Sequence, residues 1–277
     1  YRSLFANTTG YNNAAFGRNA LMAATTGHNN TGIGFDSLRS FTTGNGRNTA
    51  VGAGSMYTTT TGYQNTAVGY NALRNNTTGY MNVALGESAG NGNTTGIENA
   101  FIGFGAGVAN TTASSNTFVG GYSGNVNTTG ASNTGCGHNT LRANTTASHN
   151  TALGANSLTT NTTGAENTAL GKSAMYSNTT ASNNTGVGYR ALWANTTGDN
   201  NVAVGHGALD VNTTGAGNVA VGHSALDANT TAAGNIAVGQ RSLTANTTGA
   251  YNVGVGHEVM EANTTGANNT AVGKHAL

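Results

Sequence analysis

Residues 65–81 read NTAVGYNALRNNTTGYM, and variants of this seventeen-residue unit make up nearly the whole chain. The glycine that closes the NTAVG segment lies at Gly17 and Gly34, and then at every seventeenth position from Gly52 to Gly273. Self-similarity at a short fixed period is the signature of a solenoid, in which each repeat forms one coil. The sequence therefore predicts a single repeat array over residues 1–277.

The array contains sixteen copies with one irregularity, an extra residue between Gly34 and Gly52. There Asn45, Gly46 and Arg47 fill a turn that two residues fill in other copies. Neither end of the chain carries the polar cap that a solenoid end requires, so we expect the array to be part of a longer chain.

Composition favours an all-β structure. Charged residues are 7% of the chain, against roughly 25% in typical domains, and proline is absent. Proline cannot donate a ladder hydrogen bond, so its absence suits continuous stacks of strands. The net charge is +1 and basic residues do not cluster, which argues against a nucleic-acid partner. No stretch approaches the roughly 20 apolar residues of a membrane span.

We number the seventeen positions of the repeat as columns, starting from the first Asn of NTAVG. Column one is Asn in all sixteen copies. Residues in the same column of successive coils lie about 4.8 Å apart, close enough for side-chain amides to hydrogen-bond along the stack. The pattern therefore predicts an internal ladder that includes Asn65, Asn82, Asn99, Asn116, Asn133 and Asn150.

Columns two to five are predicted to form a short strand, with columns two and four on one face and column three on the other. The aliphatic residues of column four and the leucines of column nine are predicted to form the core. The core set is Val68, Leu73, Val204, Leu209, Val221, Leu226, Phe101 and Phe118. Cys136 shares column four and is expected to be a small buried residue. Columns six, seven, ten, sixteen and seventeen vary and are assigned to the outer surface.

Two of the predicted core residues, Phe101 and Phe118, are large where another residue of the same coil is unusually small. Column nine is glycine in three consecutive copies, at Gly90, Gly107 and Gly124, which should leave cavities. In two of these copies the small residue of column three becomes Phe101 and Phe118. This pattern predicts that columns three and nine touch, and that Phe101 also covers Gly90 from the next level.

The segment from column twelve to column fifteen, such as Asn76 to Gly79, has the composition of a turn. Its Asn and Thr side chains are expected to satisfy backbone groups, and its glycine to favour a positive φ. Each coil supplies only about two large aliphatic side chains against the entropy of seventeen ordered residues. Extra burial between chains would offset this deficit, so we expect a homo-oligomer.

The segments NTAVGYNAL and ANTTG resemble the repeats of bacteriophage tail-fibre proteins and related bacterial surface proteins. NTAVG also resembles the head repeat of trimeric autotransporter adhesins, although the period here is three residues longer. The resemblance implies a parallel β-solenoid or β-roll built as an intertwined or side-by-side homotrimer, located outside the cell on a virion tail fibre or a bacterial surface. It also implies contact with a host glycan or receptor through another domain.

Two further kinds of site are considered. His206, His223 and His257 share column six and could ligate a transition metal, but Arg18 and Lys274 in that column argue for solvent. Exposed aromatic residues could stack on sugar rings. These candidates for glycan contact are Tyr11, Tyr63, Tyr80, Tyr70, Phe104 and Tyr189.

No serine, histidine and acid set recurs in one register, so the sequence predicts neither an enzyme nor a cofactor. The favoured function is the structural shaft of a phage tail fibre or adhesive appendage that presents a receptor-binding tip. The alternatives are a bacterial cell-surface adhesin, a self-assembling extracellular filament, or a glycan- or ice-binding solenoid.

Overall fold

The structure, a computed structural model, describes residues 2–277 and is an all-β parallel solenoid. It contains sixteen strands of three residues each, and no helix occurs among the described residues. The chain divides into two compact units, of which the first ends at His138 and the second begins at Asn139. The predicted β-solenoid class is therefore confirmed.

In the first unit, eight strands pair in parallel with their neighbours in chain order. They are β1 (Ala14–Phe16), β2 (Thr31–Ile33), β3 (Thr49–Val51), β4 (Thr66–Val68), β5 (Val83–Leu85), β6 (Ala100–Ile102), β7 (Thr117–Val119) and β8 (Thr134–Cys136).

The second unit repeats this arrangement, again with parallel pairing in chain order. Its strands are β9 (Thr151–Leu153), β10 (Thr168–Leu170), β11 (Thr185–Val187), β12 (Val202–Val204), β13 (Val219–Val221), β14 (Ile236–Val238), β15 (Val253–Val255) and β16 (Thr270–Val272). Within each unit, residues of the same column are partners across the ladder, so every coil repeats the one before it.

Each strand ends at column four, one residue earlier than predicted. The next residue, in column five, is glycine for two reasons. Gly69 has φ +141°, a region that L side chains rarely adopt. A Cβ atom on Gly69 would also lie 2.4 Å from the carbonyl oxygen of Gly86 in the next coil. A side chain at column five would thus strain its own coil and push the next one away.

Column three, not column four, faces the interior. Ala67 is fully buried, whereas Val68 keeps 38% of its surface exposed, and Val204 and Val221 are only half-buried. The prediction that Val68, Val204 and Val221 belong to the core is therefore wrong for the single chain. Alternation along the strand predicts correctly that columns two and four share one side. That side faces outward, because the interior beside Leu73 has room only for a small residue at column three.

The leucines of column nine lie at the centre of each coil. Leu73, Leu209 and Leu226 are completely buried. They also adopt left-handed backbone conformations, with φ of 47°, 53° and 51°. This conformation costs roughly 1–2 kcal/mol in a residue that carries a Cβ atom, so the buried side chain must more than offset that cost.

Phe101 and Phe118 fill the space beside the column-nine glycines. Both rings are fully buried and lie 6.2 Å apart between centroids. A Cβ atom on Gly124 would meet Phe118 Cε2 at 2.3 Å, and one on Gly107 would meet Phe101 Cδ1 at the same distance. A Cβ atom on Gly90 would lie 2.4 Å from Phe101 Cδ2, so Phe101 contacts the glycines of two successive coils.

A polar column of asparagines runs beside this apolar core. Asn65 Nδ2 donates to Asn48 Oδ1 at 3.2 Å, and Asn82 Nδ2 donates to Asn65 Oδ1 at 3.1 Å. Each Oδ1 also accepts the backbone N–H of the next asparagine, as Asn99 Oδ1 does from Asn116 N at 3.0 Å. In the second unit, Asn150 Oδ1 accepts the N–H of Asn167 at 3.0 Å. Column one is thus an internal amide ladder in both units.

Column twelve lies in the segment predicted to be a turn, and its asparagines form a second buried amide ladder. Asn93 Nδ2 donates to Asn76 Oδ1 at 2.9 Å. The two ladders converge, because Gly79 O accepts from both Asn65 Nδ2 and Asn76 Nδ2 at 2.9 Å. These asparagines are fully buried and their amides are satisfied within the stack, as buried polar groups require.

The expected positive φ at column fifteen is not found at Gly79 or at the other glycines of that column, except Gly44 in the eighteen-residue coil. The size of the side chain at column fifteen is limited by its neighbours, since a Cβ atom on Gly79 would lie 2.3 Å from Asn76 Oδ1 and 2.5 Å from Gly96 O. Alanine occupies the column in four coils. The turn therefore restricts side-chain size and does not require a left-handed backbone.

The extra residue of the eighteen-residue coil is absorbed at the turn. Thr31 still pairs with Thr49 across the ladder, so the strands stay in register. In the same coil column twelve is Phe41, which is fully buried and contacts Gly27, where a Cβ atom would lie 2.3 Å from Phe41 Cε1. An aromatic ring thus replaces the amide ladder among the first coils.

Candidate functional surfaces

The outward side of the strands, formed by columns two and four, is a regular surface of aliphatic and threonine side chains. We call it the strand face. Ile33, Leu85 and Leu153 expose 40%, 37% and 40% of their surfaces, and Ile236 in column two exposes 39%. Within each unit these side chains lie in register above one another. A repeated apolar surface of this kind is typical of a site of protein association.

The strand face carries no charge in any of the sixteen copies. Every charged residue of the chain lies in column six, seven, ten, sixteen or seventeen, or in the inserted turn at Arg47. The strand face is therefore a candidate for association.

Cys136 lies on the strand face and is exposed. The expectation that it is buried is therefore wrong, for the same reason that applies to Val68: column four points outward. Since Cys136 is the only cysteine of the chain, it offers a single chemical label on this surface.

A group of charged side chains surrounds Arg190 in the second unit. Arg190 Nη2 lies 2.8 Å from Asp210 Oδ2, Arg190 Nε lies 3.1 Å from Asp210 Oδ1, and the guanidinium lies 4.5 Å from the ring centroid of Trp193. Asp227 follows Asp210 in column ten. Burial raises the pKa of Asp227 above 3.8, and the neighbouring Asp210 carboxylate raises it further, while Arg190, His223 and His206 oppose the shift.

Two of the four column-six histidines stack on each other. The ring centroids of His206 and His223 are 5.1 Å apart, with 20° between their planes. Among residues 2–277, three possible ligand atoms of His, Cys, Asp or Glu come within 4.8 Å of one another only at His257, Glu258 and His275. The sequence singled out His257 but missed its neighbours, because they lie in column seven.

The aromatic residues considered for glycan contact mostly stack on other side chains. Tyr63 and Tyr80 are parallel within 5° at 4.7 Å, so each covers one face of the other. Tyr11 stacks on His28 at 4.5 Å, and Phe104 meets Tyr122 edge-on at 5.2 Å. Sugar rings bind to free aromatic faces.

The other two candidates are Tyr189, which is tilted against His206 at 5.2 Å, and Tyr70, which is 56% exposed. Because Tyr63, Tyr80 and Tyr11 each have one face covered, the arrangement favours packing between coils. Glycan contact stays a prediction.

No helix in residues 2–277 has the length and apolar character needed to cross a bilayer. Comparison with protein families found no family model that matches the chain, and no curated protein matches its sequence.

Proposed function

We propose that this chain is the structural shaft of an extracellular appendage, such as a phage tail fibre or a bacterial adhesin, and that copies of it associate through the strand face as a homotrimer. The observation that carries the proposal is the charge-free strand face, in which column four is apolar in all sixteen copies and column two is alanine, valine, isoleucine or threonine. The resemblance of NTAVG and ANTTG to fibre repeats supports the assignment to a tail fibre or adhesin and the proposed number of three chains.

Association would compensate for the thin core of a single coil. Most coils bury one leucine or methionine and a few alanine or serine side chains, as Leu73 and Ala72 illustrate. Full burial of a valine or leucine is worth roughly 1.5–3 kcal/mol, so covering the exposed part of each column-four side chain adds a fraction of that value. The contribution is small in one coil but is repeated in every coil along the array.

The experiment is a comparison of Val68→Lys with Tyr70→Lys. Both positions belong to one coil and are exposed, at 38% and 56%, but only Val68 lies on the strand face. We expect light scattering to give a trimer mass for the wild type and Tyr70→Lys, and a smaller mass for Val68→Lys. A monomer mass for the wild type, or a trimer that tolerates a lysine at Val68, contradicts the proposed interface.

Cys136 supplies an independent measurement on the unmodified chain. A maleimide should label its thiol slowly in the assembled protein and rapidly after dilution below the association range. Rapid labelling at every protein concentration would show that Cys136 is exposed to solvent in the assembled protein, which contradicts association through the strand face.

A second candidate function is ice binding, and the register of column two favours it. Thr31, Thr49 and Thr66 lie above one another on the outward side of successive strands, beside the exposed residues of column four. A surface of hydroxyl and methyl groups in regular rows can order water. Thermal hysteresis in the wild type that disappears in Val68→Lys would favour this function, and its absence would reject it.

A further inference from the structure

Two imidazoles and one carboxylate come together near β15 and β16. His257 and Glu258 are in columns six and seven of one coil, and His275 is in column seven of the next coil. Column seven therefore places Glu258 and His275 directly above each other. Their ligand atoms and that of His257 all lie within 4.8 Å of one another.

The distances suit tetrahedral coordination. His257 Nδ1 lies 3.5 Å and His275 Nδ1 lies 3.3 Å from Glu258 Oε2. Zinc binds nitrogen and oxygen ligands at about 2.0–2.2 Å, which places two ligands of a tetrahedron about 3.3–3.5 Å apart. Two of the three ligand pairs therefore already have the spacing of a zinc site, and the third pair lies within 4.8 Å.

An unpartnered nitrogen points to the same ligand position. His257 Nδ1 is buried and makes no hydrogen bond, although the rest of its side chain is partly exposed. A buried polar atom without a partner costs about 1–3 kcal/mol. A cation bound between this nitrogen and Glu258 Oε2 would satisfy both atoms.

Arg241 orients the carboxylate for this role. Arg241 Nη1 lies 3.1 Å from Glu258 Oε1, and its Nη2 contacts Glu261. This contact engages Oε1 and leaves Oε2 facing the two imidazoles. Outer partners of this kind commonly fix the orientation of metal-binding carboxylates. The cationic Arg241 and Lys274 oppose a further positive charge, while Glu258 and Glu261 offset them.

We propose that His257, Glu258 and His275 form a binding site for a divalent transition metal of the zinc class. Two imidazoles and one carboxylate leave a fourth position for water. Imidazole ligands favour Zn²⁺, Ni²⁺ and Cu²⁺ over Mg²⁺, which prefers six oxygen ligands. The bound ion would link two successive coils through side chains, in addition to their backbone ladder. The site does not depend on the proposed shaft function.

Calorimetric titration of the full chain with Zn²⁺ tests the proposal, with Mg²⁺ as the comparison ion. We expect one Zn²⁺ per chain, at least tenfold weaker binding in His275→Gln and Glu258→Gln, and no comparable binding of Mg²⁺. His223→Gln is the matched control, because it removes one ring of a stacked histidine pair that lacks a third ligand. It should bind Zn²⁺ as the wild type does.

Folding of each variant is checked by its circular dichroism spectrum, and Zn²⁺ should raise the melting temperature of the wild type and His223→Gln only. Equal Zn²⁺ affinity in the wild type, His275→Gln and Glu258→Gln would overturn the proposal. So would a loss of binding in His223→Gln that equals the loss in His275→Gln.

Discussion

At the scale of single residues, the interior of a coil is a fixed volume shared by columns three and nine. Most coils fill it with alanine and leucine, as Ala67 and Leu73 do. Where column nine is glycine, Phe101 and Phe118 take the space from the opposite side. The sequence revealed this contact because a large residue appears only where its neighbour has become small.

The first prediction concerns Phe118 and Gly124. Phe118→Ala should lower the free energy of unfolding by about 3–5 kcal/mol, because it leaves a cavity beside Gly124. Gly124→Leu should destabilise by about 1–3 kcal/mol or more, because its side chain would overlap the ring. The double variant recreates the alanine and leucine pair of other coils, and φ at Gly124 is +58°, close to the +47° of Leu73.

Urea denaturation of the four proteins gives the coupling energy between the two positions. We expect about 2–3 kcal/mol in favour of the double variant. Phe118→Ala combined with Leu21→Ala, six coils away, is the control and should be additive within about 0.5 kcal/mol. Additivity at Phe118 and Gly124 as well would show that columns three and nine do not share one space.

The second prediction concerns Asp227 and pH. Since its pKa in the folded protein is raised above 3.8 by burial and by Asp210, the folded state holds this proton more tightly than the unfolded chain. Its favourable contribution is therefore present below pH 3.8 and is lost as the pH rises through the raised pKa. Asp227→Asn should be more stable than the wild type at pH 7.

Thermal unfolding measured from pH 3 to 7 checks this sign. The stability difference between Asp227→Asn and the wild type should grow in favour of the variant as the pH increases through the window above 3.8. Glu166→Gln, at an exposed position in the same unit, serves as the control and should keep the wild-type pH dependence. An Asp227→Asn variant that gains no stability toward pH 7 would mean that burial does not disfavour the Asp227 carboxylate.

At the scale of the coil, the sequence identified the strand but not its inward face. Alternation shows that columns two and four share one side, yet it does not say which side is buried. The interior has room only for a small residue at column three, because Leu73 already occupies the centre. The sequence indicates the buried side only at Phe118, because the large residue there predicts that column three contacts the core. The size of Val68, by contrast, favours column four as the buried column.

The third prediction tests the amide ladder of column one. Asn65→Ala removes the donor to Asn48 Oδ1 and Gly79 O and the acceptor for the backbone N–H of Asn82, all of which are buried. Each buried group left without a partner costs about 1–3 kcal/mol, so we expect a total loss of about 2–4 kcal/mol.

Asn75→Ala in the same coil is the matched control. Its side chain is exposed and donates only to Asn91 Oδ1, at 3.3 Å. We expect a change within about 0.5 kcal/mol in urea denaturation. If Asn65→Ala were as mild as Asn75→Ala, the buried amides would have to be satisfied by water rather than by one another.

At the scale of the whole molecule, the repeat predicted the class of fold because one period governs all sixteen coils. What faces outward could not be derived in the same way, since burial in an assembly depends on contacts that a single chain does not make. Cys136 and Val68 illustrate this: their column contains the residues of a core, and the structure places them on the strand face.

The fourth prediction uses the period itself. Deletion of residues 201–217 removes one complete coil and joins Asn200 to Asn218, so every remaining residue keeps its column. Because each repeat contacts mainly its neighbours, we expect an unchanged type of circular dichroism spectrum and a modest decrease in stability.

Deletion of residues 201–218 removes one residue more and joins Asn200 to Val219. Asn200 then takes the column-one position before Val219, and the coil that begins at Asn184 is left with sixteen residues, one too few for its final turn. We expect a much larger loss of stability in urea denaturation, even though the eighteen-residue coil shows that an added residue can be absorbed. Equal stability of the two deletions would show that the seventeen-residue period does not control the stacking.

The amide ladders have an electrical consequence. In both units the donor always belongs to the later coil and the acceptor to the earlier one, as in Asn82 to Asn65 and Asn218 to Asn201, and column twelve follows the same rule. The amide dipoles therefore point the same way and add, as peptide dipoles do along an α-helix. In each unit the positive ends of the ladder dipoles face the first coil, while threonine hydroxyls such as Thr77 Oγ1, which donates to Thr94 O, point the other way, so the two sets of side chains oppose each other along the axis.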